Sequence, residues 1–190
     1  MKKFRYTLHI TLVSLFLLNA CGDDEQKPLS IYLVGDSTMA DKPDPDKNPE
    51  RGWGQAFPGF FNELITVKNH AVNGRSSKSF IDEGKWQQVI SQVEPGDYVF
   101  IQFGHNDQKA YDPNRYANVY SAYRRNLELM ILETRDKGGH PVLLSSIVRR
   151  KFNDEGTLTD NHGPYPFVAR MVAFENSVPF IDLQQMSEER

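Results

Sequence analysis

Leu29-Ser30-Ile31-Tyr32-Leu33-Val34-Gly35, followed at once by Asp36-Ser37-Thr38, decides the fold of this chain. Leu29 to Val34 reads as a strand that Gly35 ends, and Tyr98 to Phe103 (YVFIQF), with little polar interruption, as a strand covered on both faces. Similar short runs recur at Ile65 to Asn69, Pro141 to Ile147 and Val178 to Asp182. Between them lie stretches with helical spacing. Phe80 to Val93 is stopped by Glu94-Pro95-Gly96-Asp97. In Tyr116 to Lys137, the residues Tyr120, Tyr123, Leu127, Met130 and Ile131 recur at helical steps, and Gly138-Gly139 closes the run. Tyr165 to Asn176 is a further helix, and Trp53 to Leu64 reads as helical toward its end, with Pro58 and Gly59 disturbing its start. Strand, helix, strand in repeated order predicts an α/β fold. The expected architecture is a three-layer α/β/α sandwich around a parallel, flavodoxin-like sheet with right-handed crossovers.

Composition bounds the function. The 190 residues are 39% hydrophobic and 25% charged, which excludes a disordered chain, a fibrous repeat and a polytopic membrane protein. A net charge of −3 leaves no basic excess to hold a polyanion, so no nucleic-acid partner is expected. The single cysteine excludes an internal disulfide and a four-cysteine zinc site.

That cysteine stands at the end of an export signal. Lys2, Lys3 and Arg5 precede an apolar run from Leu8 to Leu18, too short and too interrupted by His9, Thr11 and Ser14 for a spanning helix. Leu18-Asn19-Ala20-Cys21 resembles a lipoprotein processing box, so Cys21 is expected to be lipidated and to become the mature N-terminus. Residues 1–20 then form the signal peptide, residues 21–28 a solvated tether, and residues 29–190 the folded domain. The expected location is the bacterial cell envelope, outer membrane or periplasm, with the membrane as partner through the lipid. Removing residues 1–20, which hold three basic and no acidic residues, takes the net charge from −3 to −6.

The chemistry is expected at the carboxyl ends of the strands. Gly35-Asp36-Ser37-Thr38, Asn73-Gly74-Arg75-Ser76 and Gly104-His105-Asn106-Asp107 follow the first three strands. Each joins a glycine, which lets backbone approach a ligand, to a side chain able to act chemically. A hydroxyl nucleophile needs N–H donors aimed where an oxyanion develops, and Ser37, the Gly74 amide and the Asn106 side chain can supply that set.

These turns resemble the first three blocks of the SGNH (GDSL-type) hydrolases: GDST at 35–38, the glycine of NGRSS at 73–77 and GHND at 104–107. With Arg51-Gly52-Trp53-Gly54 and FGHND at 103–107, the chain is most similar to the rhamnogalacturonan acetylesterase branch, from about Ser30 onward. The resemblance implies the SGNH fold, with Ser37 as nucleophile and with the Ser37 amide, the Gly74 amide and the Asn106 side chain as oxyanion hole. It implies metal-free, cofactor-free removal of acetyl groups from a carbohydrate, an acetylated polysaccharide or oligosaccharide of pectic type. Two alternatives stand beside this: a carbohydrate-binding relative that has lost catalysis, and a lipid-directed esterase of the same superfamily.

The family also places an aspartate and a histidine in a D-x-x-H segment after the last strand, and no D-x-x-H lies downstream of Asp182. The domain is therefore expected to be C-terminally incomplete, to lack its closing helix and to be almost inactive alone. His105 reads as a loop residue, His70 as strand-end packing, and His140 as lying at the far edge of the sheet. His162, in Asp160-Asn161-His162, reads as a decoy that precedes the last strand. Asp36 and Asp107 are expected to hold their turns through Asx hydrogen bonds. Trp53, Phe57, Phe60 and Phe61 are expected in the core rather than stacked on a sugar, and Arg149-Arg150-Lys151 in a solvated loop rather than against an acidic polysaccharide.

Overall fold

The computed structural model of the protein describes residues 28–44, 46–159 and 162–189. The export segment, Cys21 and nearly all of the tether lie outside the described residues. Strands β1 (Leu29–Gly35), β2 (Ile65–Asn69), β3 (Tyr98–Gln102), β4 (His140–Leu144) and β5 (Phe180–Ile181) form one sheet in the order β2-β1-β3-β4-β5. Every pairing is parallel. The chain runs outward from β1 to β2 and then crosses back to β3, so the carboxyl ends of β1 and β3 flank the switch point where such sheets bind ligands. Gly35 pairs in register with Gln102, which brings the turns after β1 and β3 out at one level. The Val72 N–H donates to the Gly35 carbonyl at 3.0 Å and draws the turn after β2 alongside.

Alternation along the strands splits the core in two. Tyr32, Val34, Val99 and Ile101 point to one face. Phe80, Trp86, Leu127, Met130, Ile131, Val168 and Val172 cover them from helices α2 (Ser77–Asp82), α3 (Lys85–Ile90), α4 (Arg124–Asp136) and α5 (Tyr165–Glu175). Ile31, Leu33 and Phe100 point to the other face, against Met39, Trp53, Phe57 and Phe61. These come from the loop after β1, helix α1 (Trp53–Ala56) and the edge of a 3-10 turn at Phe57–Phe60. Period-two burial on both faces is what a doubly covered sheet requires. The expected α/β/α layering is present.

Several boundaries differ from expectation. The helix expected over Phe80 to Val93 is two short ones, because Gly84 takes a left-handed φ of 71° between them. Trp53 to Leu64 is helical at its start rather than its end: Pro58 enters the 3-10 turn, and Phe61 leaves it extended. The long helix begins later than Tyr116, in a π-helical turn (Val119–Tyr123) whose Asn118 side chain accepts the Tyr120 N–H. The wider turn breaks the expected stripe, so Tyr120 is 68% exposed while Tyr123 is buried. Of the aromatic group, Trp53, Phe57 and Phe61 pack edge to face as expected, but Phe60 is 80% exposed. Helix α6 (Leu183–Glu188) follows β5, capped by the Asp182 carboxylate on the Gln185 N–H.

Candidate active site

Asp36 is fully buried at the end of β1, where its Oδ1 accepts both the Thr38 N–H and the Thr38 hydroxyl at 2.9 Å. This Asx turn reverses the chain and leaves half-buried Ser37 at the bend. Burial pushes the Asp36 carboxyl above its ordinary range, opposed by the Thr38 bonds and by the charges of Lys42 and Arg149. The turn is braced from behind. Gln102, the one polar side chain in β3 besides Tyr98, donates to the Thr38 hydroxyl and accepts the Trp53 indole N–H at 2.7 Å. The Trp53 and Gly54 N–H groups donate to the Thr38 and Met39 carbonyls at 2.9 and 3.2 Å. Gly52 must be glycine for space: a Cβ there would stand 2.1 Å from the Ala40 carbonyl oxygen. Gly52-Trp53-Gly54 therefore buttresses the Ser37 turn.

The three turns are joined by side chains. Nearly buried Lys42 donates to the Ser37 carbonyl and, at 2.7 Å, to Asn73 Oδ1. Gly74, beside Asn73, has φ +75°, a conformation that favours glycine. Asn106 is 2% exposed; its Nδ2 donates to the Arg75 carbonyl at 3.0 Å, and its Oδ1 accepts from Lys109 Nζ at 2.7 Å. Asp107 accepts the Gly104 N–H within its own turn, as expected, but also the N–H and hydroxyl of Ser77 at the start of α2. Burial pushes the Asp107 carboxyl up to about 7, while the Ser77 and Gly104 bonds favour its charged form. Asn126 donates to Ser77 Oγ, which directs the Ser77 proton toward Asp107.

Ser37, Gly74 and Asn106 thus sit on turns locked to one another across the switch point. Among the described residues, neither the Ser37 nor the Gly74 backbone N–H enters a hydrogen bond, and Asn106 Nδ2 has a second hydrogen beyond the one given to Arg75. No side chain among the described residues accepts the Ser37 hydroxyl proton.

The histidines are engaged elsewhere. His105 Nε2 accepts from Arg149 Nε at 2.9 Å, and Arg149 Nη2 also donates to the His105 carbonyl. A guanidinium only donates, so the proton of neutral His105 is on Nδ1, 3.1 Å from Nε2 of buried His162. Burial, then the charges of Arg149, His162 and Lys109, push the His105 pKa down to about 3. His162 therefore supports the third turn and does not stand free as a base. His70 stacks on Tyr32, and burial lowers its pKa with help from Lys68. His140 opens β4 against Tyr98. Arg149 corrects the expectation of a solvated loop: it is half-buried on His105, while Arg150 is exposed. Next to it lies a cleft of about 450 Å³ lined by His105, Gln108, Lys109, Tyr111 and Arg149, with Tyr111 80% exposed.

Sequence reasoning missed Lys42, Gln102 and Lys109, and it singled out Arg149 only as one of three loop cations. Of the three missed, only Gln102 left a signal, as a polar residue in a strand buried on both faces.

Residues 33–190 match the GDSL-like lipase/acylhydrolase family. The chain is 42% identical over 158 residues to the rhamnogalacturonan acetylesterase RhgT of Bacillus subtilis, covering 83% of this chain and 66% of that protein. It is 30% identical to the rhamnogalacturonan acetylesterase of Emericella nidulans, over 80% of this chain and 66% of the relative. It thus spans just under two thirds of the length of either. Among solved structures, YxiM of Bacillus subtilis superposes with a TM-score of 0.76 at 25% identity, over 86% of this chain and 46% of that one. The acetylxylan esterase Axe2 of Geobacillus stearothermophilus shares the fold, with a TM-score of 0.66 at 20% identity over 86% and 80% of the two chains.

Proposed function

The chain belongs to the GDSL-like lipase/acylhydrolase family, and from that premise we propose that it carries the nucleophile and oxyanion hole of a serine esterase that deacetylates a carbohydrate. One observation supports this above the others: Lys42 and Asn106 tie the Ser37, Asn73-Gly74 and Asn106 turns together at the switch point. In the proposed reaction Ser37 Oγ attacks the acetyl carbonyl carbon as a base takes its proton. The carbonyl oxygen becomes an oxyanion that receives the Ser37 N–H, the Gly74 N–H and the remaining Asn106 Nδ2–H. Each such donor is worth about 10²–10³ in rate. Collapse breaks the bond to the sugar oxygen, which leaves with the proton as a hydroxyl, and water then releases acetate from acetyl-Ser37. Since no described side chain receives the Ser37 proton, we assign the base to the D-x-x-H segment that the family resemblance implies.

The substrate proposed is an acetylated pectic saccharide. The named acetylesterase relatives support the acetyl group and the carbohydrate. The Arg149 and Lys109 charges beside exposed Tyr111 suit an acidic sugar, whose ring stacks while its carboxylate meets a cation. With a D-x-x-H segment from a family relative joined to the chain, the test compares acetate release from acetylated rhamnogalacturonan, acetylated xylan and long-chain acyl esters. Preference for the acidic polymer, weakened by salt, is expected; preference for long acyl chains refutes the carbohydrate reading, and binding without turnover by the joined chain identifies a non-catalytic relative. The export and anchoring of the chain through lipid on Cys21 is likewise a proposal, checked by detergent partitioning and by mass spectrometry of the mature N-terminus.

A further inference from the structure

Asn106 is the one side-chain donor in the proposed oxyanion hole, and a side-chain amide has two faces. Presented one way it offers N–H to the substrate; reversed, it would offer an oxygen that repels the oxyanion. Lys109 stands three residues on, its own N–H bonded to the Asn106 carbonyl at 3.2 Å, so backbone and side chain close a short loop. Its Nζ lies 2.7 Å from Asn106 Oδ1. An ammonium has donors and no acceptor, so it selects the amide oxygen and turns Nδ2 toward the Arg75 carbonyl and the Gly74 turn.

We propose that Lys109 is a positioning residue for catalysis: it fixes the orientation of the Asn106 amide and, through its charge on Oδ1, strengthens the Nδ2–H as oxyanion donor. The proposal rests on Asn106 being an oxyanion donor. Its physical basis is that a charged partner about doubles the strength of a hydrogen bond, and that bonded groups polarise one another along a chain. Lys109 is also a lysine that loses its proton early. Partial desolvation, then the charges of Arg115 and Arg149, lower its pKa, opposed by Asp36 and Asp112. Once neutral, the amine has a lone pair and no longer favours Oδ1. Rising pH therefore weakens the hole without any change at Ser37.

The test uses the full chain and reads the rate of Ser37 acetylation by p-nitrophenyl acetate, by mass spectrometry, from neutral to alkaline pH. Asn106→Ala is expected to slow acetylation about 10²-fold or more, and Lys109→Met about tenfold, by losing orientation and polarisation rather than the donor itself. The double variant is expected to be no slower than Asn106→Ala alone. Acetylation rises with pH as hydroxide takes the Ser37 proton; Lys109→Arg, whose charge persists, is expected to keep most of the rate and to rise more steeply at alkaline pH than the native chain. A second readout needs no turnover: the Asn106 side-chain amide signals in ¹⁵N–¹H NMR are expected to shift as Lys109 deprotonates, and to stay still in Lys109→Met. Full rate in Lys109→Met with Asn106→Ala slow, additive losses in the double variant, or a motionless Asn106 amide in the native chain overturns the proposal alone. Full rate in Asn106→Ala removes the oxyanion reading beneath it and the proposal with it.

Discussion

The Lys42 ammonium stands 2.7 Å from the Asn73 side-chain oxygen while the same nitrogen donates to the Ser37 carbonyl. One buried cation thus couples the turn after β1 to the turn after β2. It adds to the Val72 N–H bond on the Gly35 carbonyl, which already joins the two turns at their bases. The cation is only 8% exposed. Removing it leaves the carbonyl of half-buried Ser37 without that partner, while exposed Asn73 can bond water instead.

Lys42→Met keeps the length of the side chain and deletes its charge. Losing the bond to the half-buried Ser37 carbonyl is expected to cost about 1 kcal/mol, read as a fall in Tm of about 2–4 °C for a domain of this size. Ser37 acetylation is expected to slow as the turns separate. Unchanged melting and unchanged acetylation would show that the Lys42 bridge holds nothing.

Gly52→Ala tests the buttress. Its Cβ would meet the Ala40 carbonyl at 2.1 Å, so the loop between Met39 and Gly54 must shift. Overpacking of this kind costs about 1–3 kcal/mol, and here it displaces the Trp53 N–H from the Thr38 carbonyl. Lower stability with lower reactivity at Ser37 is expected in denaturant titration and acetylation. An alanine accepted at native stability would contradict the tight approach.

The fold was legible in the sequence because strands buried on both faces leave continuous apolar runs, and LSIYLVG and YVFIQF carry that mark without ambiguity. The candidate Ser37 and Asn106 were legible because each follows such a run in a glycine turn, and Gly74 because its glycine turn follows the short strand Ile65–Asn69. The supporting network was not. Lys42 lies among prolines and charges, and Arg149 between Val148 and two further cations, where nothing in the order of residues distinguishes a buried bridge from a solvated side chain. The break within residues 80–93 is hidden for a similar reason: helical spacing persists across Gly84, and its positive φ separates the two helices.

His105 gives a pH signature. Burial and then Arg149, His162 and Lys109 hold its pKa at about 3, well below the ordinary 6.5. The unfolded chain takes up a proton near 6.5 and the folded chain does not, so this site lowers stability as pH falls from about 6.5 toward 3. In Arg149→Gln one neighbouring charge is gone, and His105 is expected to titrate at higher pH by NMR. An unmoved titration would mean that Arg149 does not set the His105 charge state.

The base is tested by addition. Joined to a D-x-x-H segment taken from a family relative, the chain is expected to release acetate from acetylated polysaccharide at least about 10⁴-fold faster than without it, since loss of a triad base removes most of the acceleration. Deacetylation of sugar esters at full rate by the 190-residue chain alone would place the base at a histidine within it, His162 or His70.

The most direct measurement is the acylation of Ser37 itself. An activated acetyl ester has a leaving group that needs no proton, so the one proton to be moved is that of the Ser37 hydroxyl, which water or buffer takes slowly; the acylation rate then reports on the hydroxyl and the oxyanion donors. Tandem mass spectrometry of the treated chain is expected to place one acetyl group on Ser37, to find none there in Ser37→Ala, and to find labelling slowed about 10²–10³-fold in Asn106→Ala. Ser37 left unmodified while surface lysines are acetylated, or labelled at equal rate without Asn106, would contradict the assignment of nucleophile and oxyanion hole.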